Sequence, residues 1–360
     1  HYPFCAATFD AVNKTFTHTW GDAYCSTDLA AYDFMFSTVY ETPFVVDETT
    51  TVLPIALTFR PLMARIGMKL ALGANETPKY VTFTTDDNVL PTAGTVNADG
   101  TFSASALTNS LTVETDRKEF TVGLLPVGVA SKMSVHVTTT DGMTYSDKSF
   151  QLAGLKRNTH YTMNVPCRTK RFMLTVPDGV NSKYGTGTYG DNGFFQVEPQ
   201  YDPESIFDGW HFLRSEIKSD KDAADGDVLK NRNRIQLQAV SLGTNRAQNG
   251  AFVTPPIQCD GTKTVTVSFT AATNKLTVGS VQYRIGVTNN GADISENFLR
   301  SFDNIQSSLE GECPWKHSGS VSRTHTFTVT NGQRIMMKVY SSGGGTPCHL
   351  ELADFTYTVE

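Results

Sequence analysis

Short segments in which apolar and polar residues alternate recur along the whole chain, and this pattern constrains the fold more than any other feature. Alternation with a period of two places one face of a β-strand against a core and the other face in solvent. Each segment is bounded by Gly, Asn, Asp or Pro, as strands and their turns are. The clearest segments are Met133–Thr139, Phe172–Val176, Thr264–Phe269, His325–Val329 and Ile335–Tyr340.

Turn-forming residues separate several of these segments. The pairs Asp141–Gly142, Asp260–Gly261 and Asn331–Gly332 favour tight turns, and Ala98–Gly100 carries a similar signal. Threonine occurs in runs and accompanies Val, Phe and Tyr, a composition that favours strands over helices. Only a few short windows, such as Asp28–Phe36, have a helical composition. The sequence therefore predicts an all-β fold with one or two short helices.

The apolar stretch from residue 53 to residue 73 raises three alternatives, a membrane span, a helix or two strands. A span needs about 20 largely uncharged residues, and this stretch contains Arg60, Arg65 and Lys69. Apolar and polar residues alternate before Pro61 and again from Ala64 to Leu72. Because proline cannot donate a ladder hydrogen bond, we predict two strands joined by a kink at Pro61.

Length and charge bound the organisation of the chain. It has 360 residues and a formal net charge of −6, which allows two domains with separate cores and argues against a nucleic-acid-binding surface. A strand pattern ends at Cys167, and the basic segment Arg168–Arg171 leads into the next. We therefore predict domains at residues 1–167 and 168–360. The first residues, HYPFCAATF, do not have the pattern of a signal peptide.

The cysteines are widely spread, with no CxxC motif and no Cys/His spacing typical of zinc. This spacing disfavours a redox enzyme or a zinc module. An even number permits full pairing in disulfides, which an extracytoplasmic location would allow. The alternative, which the sequence leaves open, is that some are buried free thiols. The six are Cys5, Cys25, Cys167, Cys259, Cys313 and Cys348.

The most polar segment, Lys218–Arg234, contains four aspartates around a glycine. Alternating oxygen ligands around a glycine suggest a calcium loop, but their order differs from the EF-hand pattern and no glutamate closes the loop at the required distance. An exposed loop is the default interpretation, and a structural calcium site is the alternative. No other cofactor is expected. The four aspartates are Asp220, Asp222, Asp225 and Asp227.

No catalytic motif is present in the sequence. It contains no GxSxG elbow, no Walker loop and no HExxH. Glu198 and Glu204 bracket Tyr201, and two carboxylates can form a glycosidase pair. A chain with 36 acidic residues offers many such pairs, so the sequence does not predict an enzyme.

The first half resembles the fimbrillin family, the pilin-like surface proteins of Bacteroidetes. Three blocks occur in the family's order, Tyr32–Ser37, Leu57–Leu72 and Asp141–Val165. The last contains Leu155–Tyr161, which resembles the closing Leu-x-x-Gly-x-x-Tyr strand of the family. Asn158 stands where the family has Gly, a mild departure because Asn tolerates a left-handed turn, and Arg60 stands where His is common. The resemblance implies a transthyretin-like β-sandwich.

The second half is similar to carbohydrate-binding modules with a jelly-roll fold. The similarity rests on the order of short motifs, Asp208–Trp210, Gly250–Pro256, the strand Thr264–Phe269, Trp315 and the closing Leu350–Tyr357. In such modules a GW segment follows the first strand and an acidic residue lies in the last. The fold class implied for the chain is a fimbrillin-like sandwich followed by a jelly-roll sandwich.

If the second domain binds a sugar, exposed aromatic rings would stack on it, and polar side chains would bind its hydroxyls. A tryptophan in a GW pair near a first strand is usually part of the core. A core role is therefore the main alternative to a ligand contact for Trp210. Trp315 lies in a polar, turn-rich segment and is the preferred ligand contact. The full candidate set is Trp315, His317, Tyr201, Trp210 and His211.

These resemblances imply a pilus-tip adhesin at the cell surface. Fimbrillins are lipoproteins of the outer membrane that polymerise by strand exchange with other pilin subunits, and the lipid anchor is absent from this chain. An added second domain suits a tip subunit that binds a glycan or a host surface protein better than it suits a shaft subunit. The alternatives are a standalone glycan-binding lipoprotein and a structural pilus-assembly subunit.

Overall fold

The computed structural model describes residues 8–13, 15–36, 59–97, 99–176, 181–184, 201–202, 207–219, 229, 231–239, 249–274, 280–289, 291–314, 319–342 and 348–360. The chain divides into two compact units. Unit 1 comprises residues 1–72, 77–140 and 144–168, and unit 2 comprises residues 73–76, 141–143 and 169–360. The all-β prediction is confirmed, since strands account for most of the structure.

Unit 1 contains the first half of the strands and one short helix, α1 (Leu29–Tyr32). Its strands are β1 (Thr8–Asp10), β2 (Thr15–Thr19), β3 (Met35–Phe36), β4 (Arg60–Pro61), β5 (Ala64–Ala71), β6 (Pro78–Thr85), β7 (Leu90–Val96), β8 (Phe102–Thr108), β9 (Ser110–Glu114), β10 (Glu119–Leu124), β11 (Ser131–Thr139), β12 (Thr144–Leu152) and β13 (His160–Pro166).

The core of unit 1 lies among the strands β10-β5-β13, the strands β12-β11-β6-β9 and the strands β1-β2-β7-β8, each given in sheet order. Strand β5 shows the predicted alternation, with Ala64, Ile66, Met68 and Leu70 buried. Their neighbours on the strand are partly or fully exposed. The predicted second strand of the apolar stretch is therefore confirmed. The predicted first strand falls mostly outside the described residues.

The window predicted to be helical is helical over α1 alone. Asp28 caps its N-terminus by accepting a hydrogen bond from the Ala31 N–H. The helix ends at Asp33, whose carboxylate accepts hydrogen bonds from the Met63 N–H and from Arg65. These bonds draw Asp33 into extended backbone, and Met35–Phe36 then forms strand β3.

Unit 2 contains the remaining strands and the helix α2 (Glu296–Arg300). Its strands are β14 (Lys170–Met173), β15 (Asn181–Tyr184), β16 (Tyr201–Asp202), β17 (His211–Leu213), β18 (Ser215–Lys218), β19 (Arg234–Ala239), β20 (Ala251–Val253), β21 (Thr262–Asn274), β22 (Ser280–Val287), β23 (Gln306–Pro314), β24 (Val321–Thr330), β25 (Ile335–Ser342) and β26 (Cys348–Val359).

Two antiparallel sheets enclose the core of unit 2. One runs β15-β18-β19-β26-β21-β24, with β14 pairing the last residues of β26, and the other runs β16-β17-β20-β25-β22-β23. From β18 onward the chain passes repeatedly between the two sheets, which is the jelly-roll arrangement predicted. The inner faces meet through side chains such as Leu237, Leu352, Phe252 and Met337. No helix among the described residues is long and apolar enough to cross a membrane.

Candidate functional site

A β-bulge interrupts β26 in the middle of its sheet. Ser268 of β21 pairs with Thr356, but Thr270 pairs with Ala353, so β26 holds one extra residue there. Asp354 occupies the extra position of the bulge. Its φ is 52°, a left-handed conformation that Asp tolerates better than most residues. Leu352 and Phe355 are both fully buried, and the carboxylate of Asp354 is thereby directed outward.

Beside this bulge lies a cleft of about 370 Å³, within the range of roughly 300–1,000 Å³ that is usual for small-molecule sites. Strand β14, the turn before β19 and strand β26 supply its walls. Most of its side chains are polar, while Met173 contributes a 60% exposed thioether chain. The cleft is lined by Arg171, Met173, Leu174, Thr175, Asn231, Arg232, Asn233, Asp354 and Thr356.

An ion pair crosses the cleft. Arg232 Nη1 lies 3.1 Å from Asp354 Oδ2, and both side chains are about half exposed. The Thr270 hydroxyl also donates a hydrogen bond of 3.4 Å to Asp354 Oδ2. An exposed pair of this kind adds little to stability, so its groups are available to a ligand at small cost.

Two asparagines complete the polar lining. Asn231 has a φ of 64°, which fixes a tight turn just before β19. The buried Oδ1 atom of Asn233 has no hydrogen-bond partner. Such an acceptor costs free energy when it is left without a donor. Amide, guanidinium and carboxylate groups around an apolar patch are suited to a polyhydroxylated molecule.

Trp210 and His211, two of the predicted ligand contacts, do not line this cleft. Trp210 is 2% exposed, stacks on Phe212 with a ring-centroid distance of 5.8 Å, and contacts Phe172 at 5.0 Å. Its ring thus has no face open to a ligand. His211 is half-buried, and burial, followed by the charge of Arg334, lowers its pKa.

The other predicted site residues lie wholly or partly outside the described residues. The backbone of Tyr201 pairs with Leu213 in strand β16, and its side chain lies outside the described part of the structure. Trp315 and His317 fall outside the described residues, so their ligand role stays a prediction. The same holds for the four aspartates of the calcium hypothesis, Asp220, Asp222, Asp225 and Asp227. The described residues contain no group of His, Cys, Asp and Glu side chains arranged to hold a metal ion.

Cys25 and Cys259 are buried and carry free thiols. For these two residues the alternative to disulfide pairing applies. Burial raises the pKa of Cys25 to about 12. Burial also raises the pKa of Cys259. These two residues behave as small core side chains. Cys5 and the side chain of Cys348 fall outside the described residues.

Sequence reasoning missed the cleft because its members come from three separate segments. Asp354 lies at a one-residue bulge, where the buried apolar positions of β26 shift from Leu350 and Leu352 to Phe355 and Tyr357. Asn231 and Asn233 lie at the end of the polar segment Lys218–Arg234, which was predicted to be an exposed loop. The cluster of Asn and Arg residues in KNRNR was the signal that could have drawn attention to this turn.

Comparison with known proteins places the first part of the chain. A family model described as fimbrillin-like matches residues 1–178. No curated protein matches the chain.

Solved structures give weaker likenesses. A putative cell adhesion protein from Bacteroides uniformis is 16% identical, with a TM-score of 0.34 over 46% of this chain and 64% of that one. A second, from Bacteroides ovatus, is 19% identical, with a TM-score of 0.30 over 44% of this chain and 57% of that one. This chain thus spans less than two thirds of either protein.

A likeness to a carbohydrate-binding structure also occurs. The C-terminal CBM6 of LamC, a marine laminarinase from Zobellia galactanivorans, is 10% identical, with a TM-score of 0.24 over 41% of this chain and 93% of that one. These identities and TM-scores are too low to transfer a ligand or an activity. The family match stands apart from them, and it shows that residues 1–178 of this chain are fimbrillin-like.

Proposed function

We propose that this chain is a pilus-tip adhesin, in which unit 1 docks to another pilin subunit and the cleft of unit 2 binds a glycan. The fimbrillin-like region makes the chain a cell-surface adhesion or fimbrial subunit. The proposal of a tip adhesin is supported by an open sheet edge in unit 1. The same chain also has a second compact unit with its own polar cleft.

The open edge is strand β13. It pairs in parallel with β5, and β5 pairs on its other side with β10, so that β13 is an outer strand of this sheet among the described residues. The Arg65 N–H donates to the Thr159 carbonyl oxygen. Alternate residues of a strand direct their peptide groups to opposite sides, so those of His160, Thr162 and Asn164 face away from β5. A strand from another subunit can pair with these groups.

Sugar binding is supported by the chemistry of the cleft. Arg171 and Arg232 offer donors, and Asp354 accepts from sugar hydroxyls. The all-β fold and the fimbrillin-like family favour a structural or adhesive role over catalysis. The proposal includes attachment to the outer membrane through a lipid anchor. A host surface protein is the alternative to a glycan as the ligand.

The docking half is tested with Thr162→Pro, which removes an outward-facing N–H while the hydrogen bonds to β5 remain. Thr162→Ala is the matched control, because it removes the side chain and keeps the N–H. Full-length tagged chains would be expressed in the native cells, and surface fibres would be sheared off, purified and labelled with immunogold. We expect wild type and Thr162→Ala at fibre ends and Thr162→Pro absent from fibres.

The other outcomes separate the rival functions. Label along the whole fibre would identify a shaft subunit and contradict the tip assignment. Wild-type chain at the cell surface but never on fibres would favour a standalone glycan-binding lipoprotein. Fibre association without any glycan binding by the full chain would favour a structural assembly subunit or a protein ligand.

A further inference from the structure

A lysine is buried between two carboxyl groups in unit 2. Lys170, the first residue of β14, is 1% exposed. Its Nζ atom lies 2.6 Å from Asp141 Oδ2 and 3.0 Å from Glu76 Oε1, and it also donates to the Gln258 carbonyl oxygen. Asp141 and Glu76 are themselves buried. They belong to the two short segments, residues 141–143 and 73–76, that are part of unit 2.

The surrounding backbone holds both carboxyl groups in place. Asp141 Oδ1 accepts from the Met143 N–H at 3.2 Å, and its Oδ2 accepts from the Gln258 N–H at 3.0 Å. Glu76 Oε2 accepts from the Gly73 N–H at 2.9 Å, so that Oε1 remains directed at Lys170. The amine nitrogen is therefore held within hydrogen-bond distance of Asp141 Oδ2, the oxygen that is bonded to Cγ. Such fixed proximity removes most of the entropic barrier to reaction.

The charges in this cluster do not balance when all three groups are ionised. One buried ammonium faces two buried carboxylates, and burying charged groups is expensive. Condensing the amine with one carboxyl group would replace an ion pair with a neutral amide.

We propose that Lys170 and Asp141 form an intramolecular isopeptide bond, with Glu76 as the proton-transfer group. A proton passes from Nζ to a carboxylate, and the amine lone pair attacks Cγ of Asp141. Glu76 accepts the second Nζ proton and delivers a proton to the departing oxygen of Asp141. The Nζ–Cγ bond forms, the Cγ–O bond breaks and one water leaves. No oxidant, reductant or further reactant is required.

The three residues fulfil separate chemical requirements. Lys170 supplies the nucleophile and Asp141 the electrophilic carbon. Glu76 touches the nucleophilic atom, as a general acid–base group must. The enclosed site excludes water, which protects the amide product from hydrolysis. The bond would tie β14 to the turn at residue 141, 29 positions earlier in the chain, and this link would persist when unit 2 is denatured.

The test is the intact mass of the purified full-length chain, measured after denaturation and reduction. We expect a mass below that calculated from the sequence by one water molecule. A protease digest should then contain one branched peptide that joins the Lys170 peptide to the Asp141 peptide. Amine labelling of the denatured chain should modify the other lysines and leave Lys170 unmodified.

Two variants complete the test. Lys170→Arg keeps the positive charge but cannot condense, and Glu76→Gln keeps the size of the side chain but loses the proton-transfer group. Both should show the full mass calculated for their sequences. A full-mass wild type in which Lys170 reacts with the amine label would overturn the proposal and leave a buried ion pair. A branched peptide that is equally abundant in Glu76→Gln would overturn the role of Glu76.

Discussion

Arg232 Nη1 lies 3.1 Å from Asp354 Oδ2, across the cleft that the bulge of β26 opens in unit 2. Asp354 occupies the left-handed position of the bulge, and Arg232 comes from the turn before β19. The pair therefore joins two segments that are more than a hundred residues apart in the chain. Its groups remain about half exposed, and a ligand in the cleft would reach both.

We expect Asp354→Asn to weaken glycan binding by roughly tenfold, since one charge-assisted hydrogen bond is lost. Asn tolerates the left-handed backbone as Asp does, so the fold should be kept. The measurement is calorimetric titration of the full chain with the best binder from a glycan array. Glu310→Gln is the matched control, because it alters the exposed ion pair with Arg284 on the other sheet. Equal affinity of wild type and Asp354→Asn would place the glycan outside this cleft.

Lys338 should make the stability of unit 2 depend on pH. Its side chain is fully buried, and desolvation, followed by the charges of Arg300 and Arg214, lowers its pKa to about 7 from an ordinary value of 10.5. The unfolded chain therefore keeps this proton to a higher pH than the folded chain does. Below about pH 7 the cost of burying the charge is fully present, and the free energy of unfolding rises as the pH rises from about 7 towards 10.5.

Lys338→Met removes the titrating group and should abolish this rise. We also expect a gain of about 1 kcal/mol or more at pH 6, because an apolar side chain of similar length replaces a buried cation. Urea unfolding of both chains at several pH values measures the effect. Lys132→Met, at an exposed position of β11, should leave the pH dependence unchanged. A similar slope in Lys338→Met and wild type would contradict the assignment to Lys338.

Asn158 should respond to substitution through its backbone. It has a φ of 50°, and its N–H donates to the Met63 carbonyl oxygen. We expect Asn158→Ala to lower the free energy of unfolding by about 1 kcal/mol, because a Cβ without a polar group disfavours this conformation. Asn158→Gly should be close to neutral. Thermal unfolding of the full chain checks the order, and an Ala variant as stable as the Gly variant would contradict it.

Cys25 should resist modification in the folded chain. It is 3% exposed, and burial raises its pKa to about 12, so that almost no reactive thiolate is present at pH 8. Iodoacetamide labelling followed by mass spectrometry should modify Cys25 slowly in buffer and rapidly in denaturant. Fast labelling under native conditions would show that this part of unit 1 opens readily.

Local patterns were enough to predict many of the strands. The alternation from Ala64 to Leu70 predicted both β5 and its buried face, because burial on one side of a strand leaves a period of two. Asn158 was predicted to tolerate a left-handed turn, and its φ confirms this. These features depend on neighbours in the sequence, so the sequence reports them directly.

The candidate site depends on contacts between segments that lie far apart in the sequence. Asp354 reaches the cleft at the bulge of β26. Asn233 reaches it from the turn before β19, a strand that pairs with β26 across a long sequence separation. The same is true of the cluster around Lys170, whose partners Glu76 and Asp141 lie in distant turns. The sequence predicted a turn at Asp141–Gly142, and only the three-dimensional arrangement joined Asp141 to Lys170 and Glu76.

The position of β26 has a consequence for biosynthesis. This strand is the last of the described strands in the sequence, yet it lies inside its sheet between β19 and β21, and it also pairs with β14. During translation β14, β19 and β21 emerge from the ribosome well before their shared partner, with unpaired edges that favour aggregation. Unit 2 can close its sheet only after residue 359 has emerged, whereas the strands of unit 1 are complete at residue 166. Until then, the edges of β19 and β21 that β26 covers in the folded chain have no partner strand.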